Sequence, residues 1–363
     1  MVVQEQIPLA PFTTLGVGGP ARFFVEAFNE DDLVEALSWA KQQSLPVFVL
    51  GGGSNILVSD HGFPGLVLRI ALRGIEFQDE DETTGSSFRI GSRIYRAAAG
   101  EPWDDFVQQT IDQNCSGIEC LAGIPGTVGG TPVQNVGAYG QEVSETIHQV
   151  RLLDRDKLHF HHFSNEECNF TYRTSRFNSR DAGKYLVTRV DYRLQRNGSP
   201  TLRYADLKQA FPPGATPSLA ETAAQVRSIR QSKGMLLLEN DPDSRSAGSF
   251  FKNPIVSESQ LEEITTRFGQ RPPTYSAITP ANTPTITSEE TCYKLPAAWL
   301  IEHAGFQKGF QLGRAGISTR HTLALVNLGD ATAAEILTLR DLITERVQNY
   351  GVTLQMEPVL VGF

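Results

Sequence analysis

Between Ala122 and Gly140 the chain places six glycines in nineteen residues and interrupts them with Pro125 and Pro132. Neither a helix nor a regular strand tolerates that density: glycine costs backbone entropy, and proline has no N–H to donate. The segment is also apolar enough to be buried around something. Loops this long without regular structure are usually functional or disordered. Close backbone approach to a flat, bulky ligand would explain the glycines. Gln134 and Asn135 could read an amide-like ring edge with both donors and acceptors. A glycine-rich connection between strands is the alternative.

A second glycine loop lies upstream. The segment 46–50 reads as a buried strand and runs directly into Gly51-Gly52-Gly53-Ser54-Asn55, followed by the apolar Ile56-Leu57-Val58. Three glycines let the backbone turn tightly and present successive N–H groups, which is the physics of a phosphate cradle. The G-K-[ST] signature of a nucleotide P-loop is absent, as is G-x-G-x-x-G. An ordinary strand-end turn is the alternative. Two separate cradles suit a long diphosphate cofactor.

The third feature is Ala247-Gly248-Ser249-Phe250-Phe251-Lys252-Asn253-Pro254, which sets a hydroxyl, a cation and a carboxamide beside two rings. A packed core has no use for those polar groups unless they face a ligand, and Gly248 would let one reach the backbone next to Ser249.

The remaining sequence bounds the class. At 363 residues, about two or three domains are expected. A net charge of −9 argues against a general nucleic-acid binder, while a local cationic pocket for an anionic small molecule stays compatible with it. The four cysteines, Cys115, Cys120, Cys168 and Cys292, form no C-x-x-C pair and read as reduced thiols of a cytoplasmic protein. Neither a signal peptide nor a membrane span is expected. Helices are expected over 30–43 behind Asn29, over 103–113, 218–232, 260–268 and 297–304, and most strongly over 331–350. Strands are expected over 88–98, 148–153, 158–163, 185–194 and 352–361. His159 and His161 share a face of the third of these, more consistent with a solvated strand than with a metal site. The stretch 283–288 is the most disorder-prone.

Taken together, the segments resemble the UDP-N-acetylenolpyruvoylglucosamine reductase family, nearly end to end. The matching stretches are 13–21, 51–57, 124–140, Phe170-Thr171-Tyr172-Arg173-Thr174-Ser175-Arg176-Phe177, 247–254, 298–302 and Met356-Glu357-Pro358. The resemblance implies an α+β protein. Its FAD-binding fold has two subdomains, of the vanillyl-alcohol-oxidase type, and a smaller α+β domain binds substrate. Residues 1–75 would form the first FAD subdomain and 76–233 the second. Residues 234–350 would form the substrate domain, with 351–363 returning near the active site. FAD would be held non-covalently by Gly51, Gly52, Gly53, Ser54, Asn55, Ile56, Ile124, Pro125, Gly126, Gly129, Gly130, Thr131, Gln134, Asn135, Gly137, Ala138 and Tyr139.

The family's chemistry makes sense of three further positions. NADPH reduces the flavin and leaves, and an enolpyruvyl UDP-sugar then enters the same cleft. By resemblance, Ser249 protonates C2 of the enolpyruvyl group after hydride reaches C3. Arg173 clamps the aci-carboxylate, and Glu357 shares or relays a proton. Tyr204 matches the tyrosine that closes over substrate in type I members. Arg230, Lys233 and Asn253 match substrate-binding positions, and His303 stands where a glutamine is common. The segment from Gly234 to Ser246 is longer than usual, and Lys233-Gly234-Met235 replaces a Lys-x-Pro. A monomer is expected.

Two other functions compete. One is a flavin oxidase acting on an alcohol or sugar, but no histidine lies between His61 and His148 for covalent flavin attachment. The other is a silent nucleotide-sugar binder, against which the intact Ser249, Arg173 and Glu357 argue.

Overall fold

The computed structural model describes residues 1–80, 91–277 and 292–363. The expected start of the 88–98 strand and the stretch 283–288 lie outside them. The described residues form two compact units. The first comprises Met1–Ile7, Ala21–Gly53 and Phe63–Ser232, and the second Pro8–Pro20, Ser54–Gly62 and Lys233–Phe363.

The first unit holds two larger sheets beside the two-stranded pair of Gly137–Ala138 and Gln141–Glu142. In one, strands Pro20–Ala27 and Val47–Leu50 both run parallel to Phe63–Ile70. Parallel strands need a crossover, and helix Glu30–Gln42 carries the chain from Pro20–Ala27 to Val47–Leu50 on the other side of Phe63–Ile70. Asn29 caps that helix through the Asp32 N–H, and Leu33, Ala36, Leu37 and Ala40 form its buried stripe. The other sheet is antiparallel, built on Ile147–Asp154, Tyr185–Arg196 and Ser92–Ala98, with Val150 opposite Val190 and Tyr192 opposite Tyr95. Helix Trp103–Asp112 covers it with Trp103 and Phe106, whose rings lie 5.8 and 5.1 Å from Tyr192. The strand expected over 158–163 is Phe160–Ser164, because Leu158 turns through φ +57°. His161 meets the Tyr185 ring edge-on and His162 lies beside Arg151, so neither is merely solvated.

The second unit packs around helix Ala333–Gln348, whose Ile336, Leu339, Ile343 and Val347 are fully buried. Its start is fixed twice. Thr332 and Glu335 form a capping box, and the Asp60 carboxylate accepts the Ala333 and Ala334 N–H groups at 2.7 and 3.0 Å. Helix Glu258–Phe268 begins two residues before the expected 260, because Ser257 and Gln260 make the same box. Of the strand expected over 352–361, only Val359–Val361 forms, parallel to Ile56–Val58. Pro358 interrupts the donors, and the residues before it pair elsewhere.

The long segment before Ser249 is ordered by buried charge. Asp241 caps a short 3-10 turn, Pro242–Ser244. Asp243 accepts from Thr319 N and Oγ1 at 2.9 and 2.6 Å and from Arg320 Nε at 2.9 Å, while Arg320 also bridges to Asp241. Burial alone would raise the Asp243 carboxyl, but these donors outweigh it and hold it below the usual range.

His321 follows Arg320 in sequence and is pushed down to about 4, by burial first and then by Lys233 and Lys308. A histidine that resists protonation in the folded state binds more protons unfolded, so stability falls as pH drops from about 6.5 to 4. We expect His321→Asn to flatten that part of the pH–stability curve, measured by denaturant midpoints. An unchanged curve would contradict the assignment.

All four cysteines are unbridged and buried. Burial, aided by Glu167, pushes the Cys168 thiol up to about 12, and burial with Glu119 raises Cys120 further. Thiolate is the reactive form. The native protein should therefore leave these thiols unmodified by an aromatic disulfide reagent until it is unfolded. Rapid native labelling of Cys120 or Cys168 would contradict this.

Candidate active site

The two glycine loops meet in the first unit, backbone against backbone. A Cβ on Gly52 would fall 2.5 Å from Gly126 Cα, and one on Gly51 would fall 3.0 Å from Thr127 Oγ1. A Cβ on Gly129 would strike Ala99, whereas one on Gly130 would meet nothing within 4 Å. The loops are thus joined on one side and open at Gly130. Such a cradle of closely set backbone fits a phosphate-bearing, flat cofactor.

The side chains of the second loop divide into two sets. Gln134 and Ala138 are half-buried. Thr131 is 3% exposed; its hydroxyl donates to Val128 O at 2.8 Å, so the 2.6 Å contact with Tyr192 is donated by the phenol. Asn135 is 1% exposed and its carboxamide is committed to Glu142, Thr171 and Ser144. Both side chains therefore serve the protein rather than a ring edge, and only their backbone is left for a ligand.

Tyr139 has φ +49° and lies edge-on to Tyr204 at 5.4 Å. Tyr204 is 40% exposed and begins the short helix Ala205–Gln209, which the sequence reading missed. Gly140 lies against Arg203, which pairs with Glu145 at 3.1 Å. A buried carboxylate ties this region together: Glu119 accepts from Gly117 N, Gln141 Nε2 and Thr201 N at 2.7 to 2.9 Å.

Arg230 is no solvated helix end. It is 8% exposed and its Nε donates to Gly123 O at 3.0 Å. Burial lowers its pKa, and Tyr139 opposes that effect. Its position was legible, since it continues the Leu219, Ala223, Val226 stripe of its helix. Arg173 sits in the two-residue turn between Thr171 and Thr174, with φ +54°. A non-glycine residue there is strained by about 1–2 kcal/mol, and such strain concentrates at functional positions.

The second unit holds Ser249 between two partners. On one side, Ser246 bridges Val326, Asn327 N donates to Arg245 O, and Phe250 N donates to Leu323 O. On the other, Glu357 N donates to Phe250 O at 2.9 Å, Lys252 N to Gln355 O at 2.8 Å, and Phe251 bridges Met356. Ser249 is half-buried and follows Gly248 at φ +71°. Phe250 and Phe251 are 0% and 1% exposed and anchor the segment. The ladder therefore sets Glu357 one residue out of register from Ser249. Asn55, at the end of the first glycine loop, braces this ladder. Its Nδ2 donates to Glu357 O at 3.3 Å, and its own carbonyl accepts from Val359 N.

The other substrate candidates also lie in this unit, except Tyr204 and Arg230. Lys233 opens it. Asn253 Oδ1 accepts the Ala297 N–H at 2.9 Å at the start of helix Ala297–His303. His303 is stacked on Trp299 at 3.7 Å. The Trp299 carbonyl can only accept, so Nδ1 carries the proton and Nε2 accepts from Gln270 at 2.7 Å. Both ring nitrogens are thus engaged within the unit.

Comparison with known proteins identifies the family. Residues 21–158 match the FAD binding domain, and 241–361 match the UDP-N-acetylenolpyruvoylglucosamine reductase C-terminal domain. The UDP-N-acetylenolpyruvoylglucosamine reductase of Thermobifida fusca is 42% identical over 99% of this chain and 98% of its own length. That of Streptomyces coelicolor is 42% identical over 99% and 91%. The crystal structure of the Thermus caldophilus reductase superimposes with a TM-score of 0.65 at 26% identity, covering 99% of both chains. The chain therefore belongs to the UDP-N-acetylenolpyruvoylglucosamine reductase family of FAD-dependent oxidoreductases, with an α+β fold that includes an FAD binding domain.

Proposed function

We propose that this protein uses NADPH to reduce UDP-N-acetylglucosamine enolpyruvate to UDP-N-acetylmuramate, a step of peptidoglycan precursor synthesis that serves cell shape and division. It acts as a cytoplasmic monomer. Among the described residues no helix is long and apolar enough to cross a membrane. The observation that carries the reading is the ladder that pairs residues 250–252, next to Ser249, with residues 355–357.

Bound FAD would supply the hydride chemistry between NADPH and C3 of the enolpyruvyl group. Residues 1–75 and 76–233 hold that cofactor, through Gly51 to Ile56 and the loop from Ile124 to Tyr139. Residues 234–350 receive the sugar nucleotide, and 351–363 bring in Glu357. The Arg173 guanidinium clamps the substrate carboxylate as negative charge builds on it. The Ser249 hydroxyl donates its proton to C2 as Glu357 relays another to the serine oxygen, so that no free alkoxide is left. Tyr204, Arg230, Lys233 and Asn253 orient the sugar nucleotide. His303 acts on it through the Trp299 stack.

The test is NADPH consumption in the presence of the enolpyruvyl UDP-sugar, with the product identified by mass. Equimolar UDP-N-acetylmuramate and NADP are expected. NADPH oxidation that needs oxygen and ignores the sugar nucleotide would favour an oxidase instead.

A further inference from the structure

Arg173 is held at positive φ on a two-residue turn, a conformation that persists only where the surroundings over-determine it. The restraint comes from the second glycine loop. Asn135 Nδ2 donates to Thr171 O at 3.1 Å and to Glu142 Oε2 at 2.8 Å, while its Oδ1 accepts from Ser144 N at 3.2 Å. Two residues away, Val133 O accepts from Ser175 Oγ at 2.6 Å. The turn is therefore gripped at both ends, at Thr171 and at Ser175, by residues of one loop. Asn178 Nδ2 adds a bond to the Arg173 carbonyl at 3.2 Å. Asn135 itself has φ +46°, which asparagine tolerates better than most residues.

We infer that Asn135 is a positioning residue, which with Ser175 sets the Arg173 guanidinium in register with the flavin-binding loop. The inference rests on the reading of Arg173 as the carboxylate clamp. Its consequence is selective. Hydride transfer into the flavin needs no carboxylate clamp, whereas reduction of the enolpyruvate does. A turn loosened by about 1 Å should slow only the second step, by about tenfold to a hundredfold.

Asn135→Gly tests this on the FAD-loaded full chain, because glycine keeps the left-handed backbone and removes only the carboxamide. Read at saturating FAD, reoxidation of the variant by the enolpyruvyl UDP-sugar should slow by about tenfold to a hundredfold more than its anaerobic bleaching by NADPH does. In the cofactor-free protein, amides of 171–178 should exchange with solvent about tenfold faster. Ser175→Ala should give the same split to a smaller degree, and it carries the test should Asn135→Gly not fold. Arg173→Ala, run alongside, separates the two ideas. If Arg173→Ala spares reoxidation, the clamp reading fails and takes the inference with it. If Arg173→Ala impairs reoxidation and Asn135→Gly does not, the positioning role alone fails. The double variant should be no slower than Arg173→Ala, and additive losses would overturn the coupling.

Discussion

Replacing Ser249 with alanine should leave the protein yellow and let NADPH bleach it, yet slow turnover of the enolpyruvate by about 10²–10⁴-fold. The change removes one hydroxyl. The backbone that places it is held from both sides, by Phe250 N to Leu323 O and by Glu357 N to Phe250 O. Phe250 and Phe251 keep the segment packed. Loss of the hydroxyl therefore removes the proton donor proposed above without moving its neighbours. Ser249→Cys retains a donor and should keep more activity than Ser249→Ala. Rapid anaerobic kinetics of the two half-reactions checks this. Equal loss in flavin reduction and in substrate reduction would remove Ser249 from the role of acid.

The second large effect is on cofactor binding. Gly52→Val would drive a side chain into Gly126 backbone, with the Cβ alone 2.5 Å from Gly126 Cα and 2.8 Å from its carbonyl carbon. Backbone cannot swing aside as a side chain can, so the loops must part. Overpacking of this kind costs about 1–3 kcal/mol or more, and each 1.4 kcal/mol at the site is about tenfold in affinity. The variant should purify pale, bind FAD about fivefold to a hundredfold more weakly, and melt earlier. Gly130→Ala supplies the contrast. Its Cβ meets nothing of the protein within 4 Å, so the cofactor-free melt should stay unchanged while FAD affinity falls. Titration by flavin fluorescence, beside thermal melts, reads both. Undiminished FAD binding in Gly52→Val would show that the two loops do not form the cradle.

Local signals carried the helices. Asn29 before the Leu33, Ala36, Leu37, Ala40 stripe marks one start, and the 336, 339, 343, 347 spacing marks the long C-terminal helix. The 352–361 strand was misjudged because β-propensity says nothing about partners. Gln355 to Glu357 pair with the Ser249 segment, and only Val359–Val361 reaches Ile56–Val58. Site residues are proposed as a set, through the resemblance. What each side chain does was not legible. Asn135 looks like a ring-edge reader until its partners 7 and 36 residues on are known. Likewise the lengthened segment is ordered by Arg320, 77 and 79 residues beyond Asp243 and Asp241. Such pairings are set by the fold, and no window of sequence contains them.

The most direct measurement is the visible spectrum of the FAD-loaded protein under strict anaerobiosis, first with one equivalent of NADPH and then with one of UDP-N-acetylglucosamine enolpyruvate. The oxidised flavin bands should vanish with the first addition and return in full with the second, with UDP-N-acetylmuramate formed in equal amount. A flavin that stays bleached in the presence of the sugar nucleotide, and recovers only when air is admitted, would contradict the account.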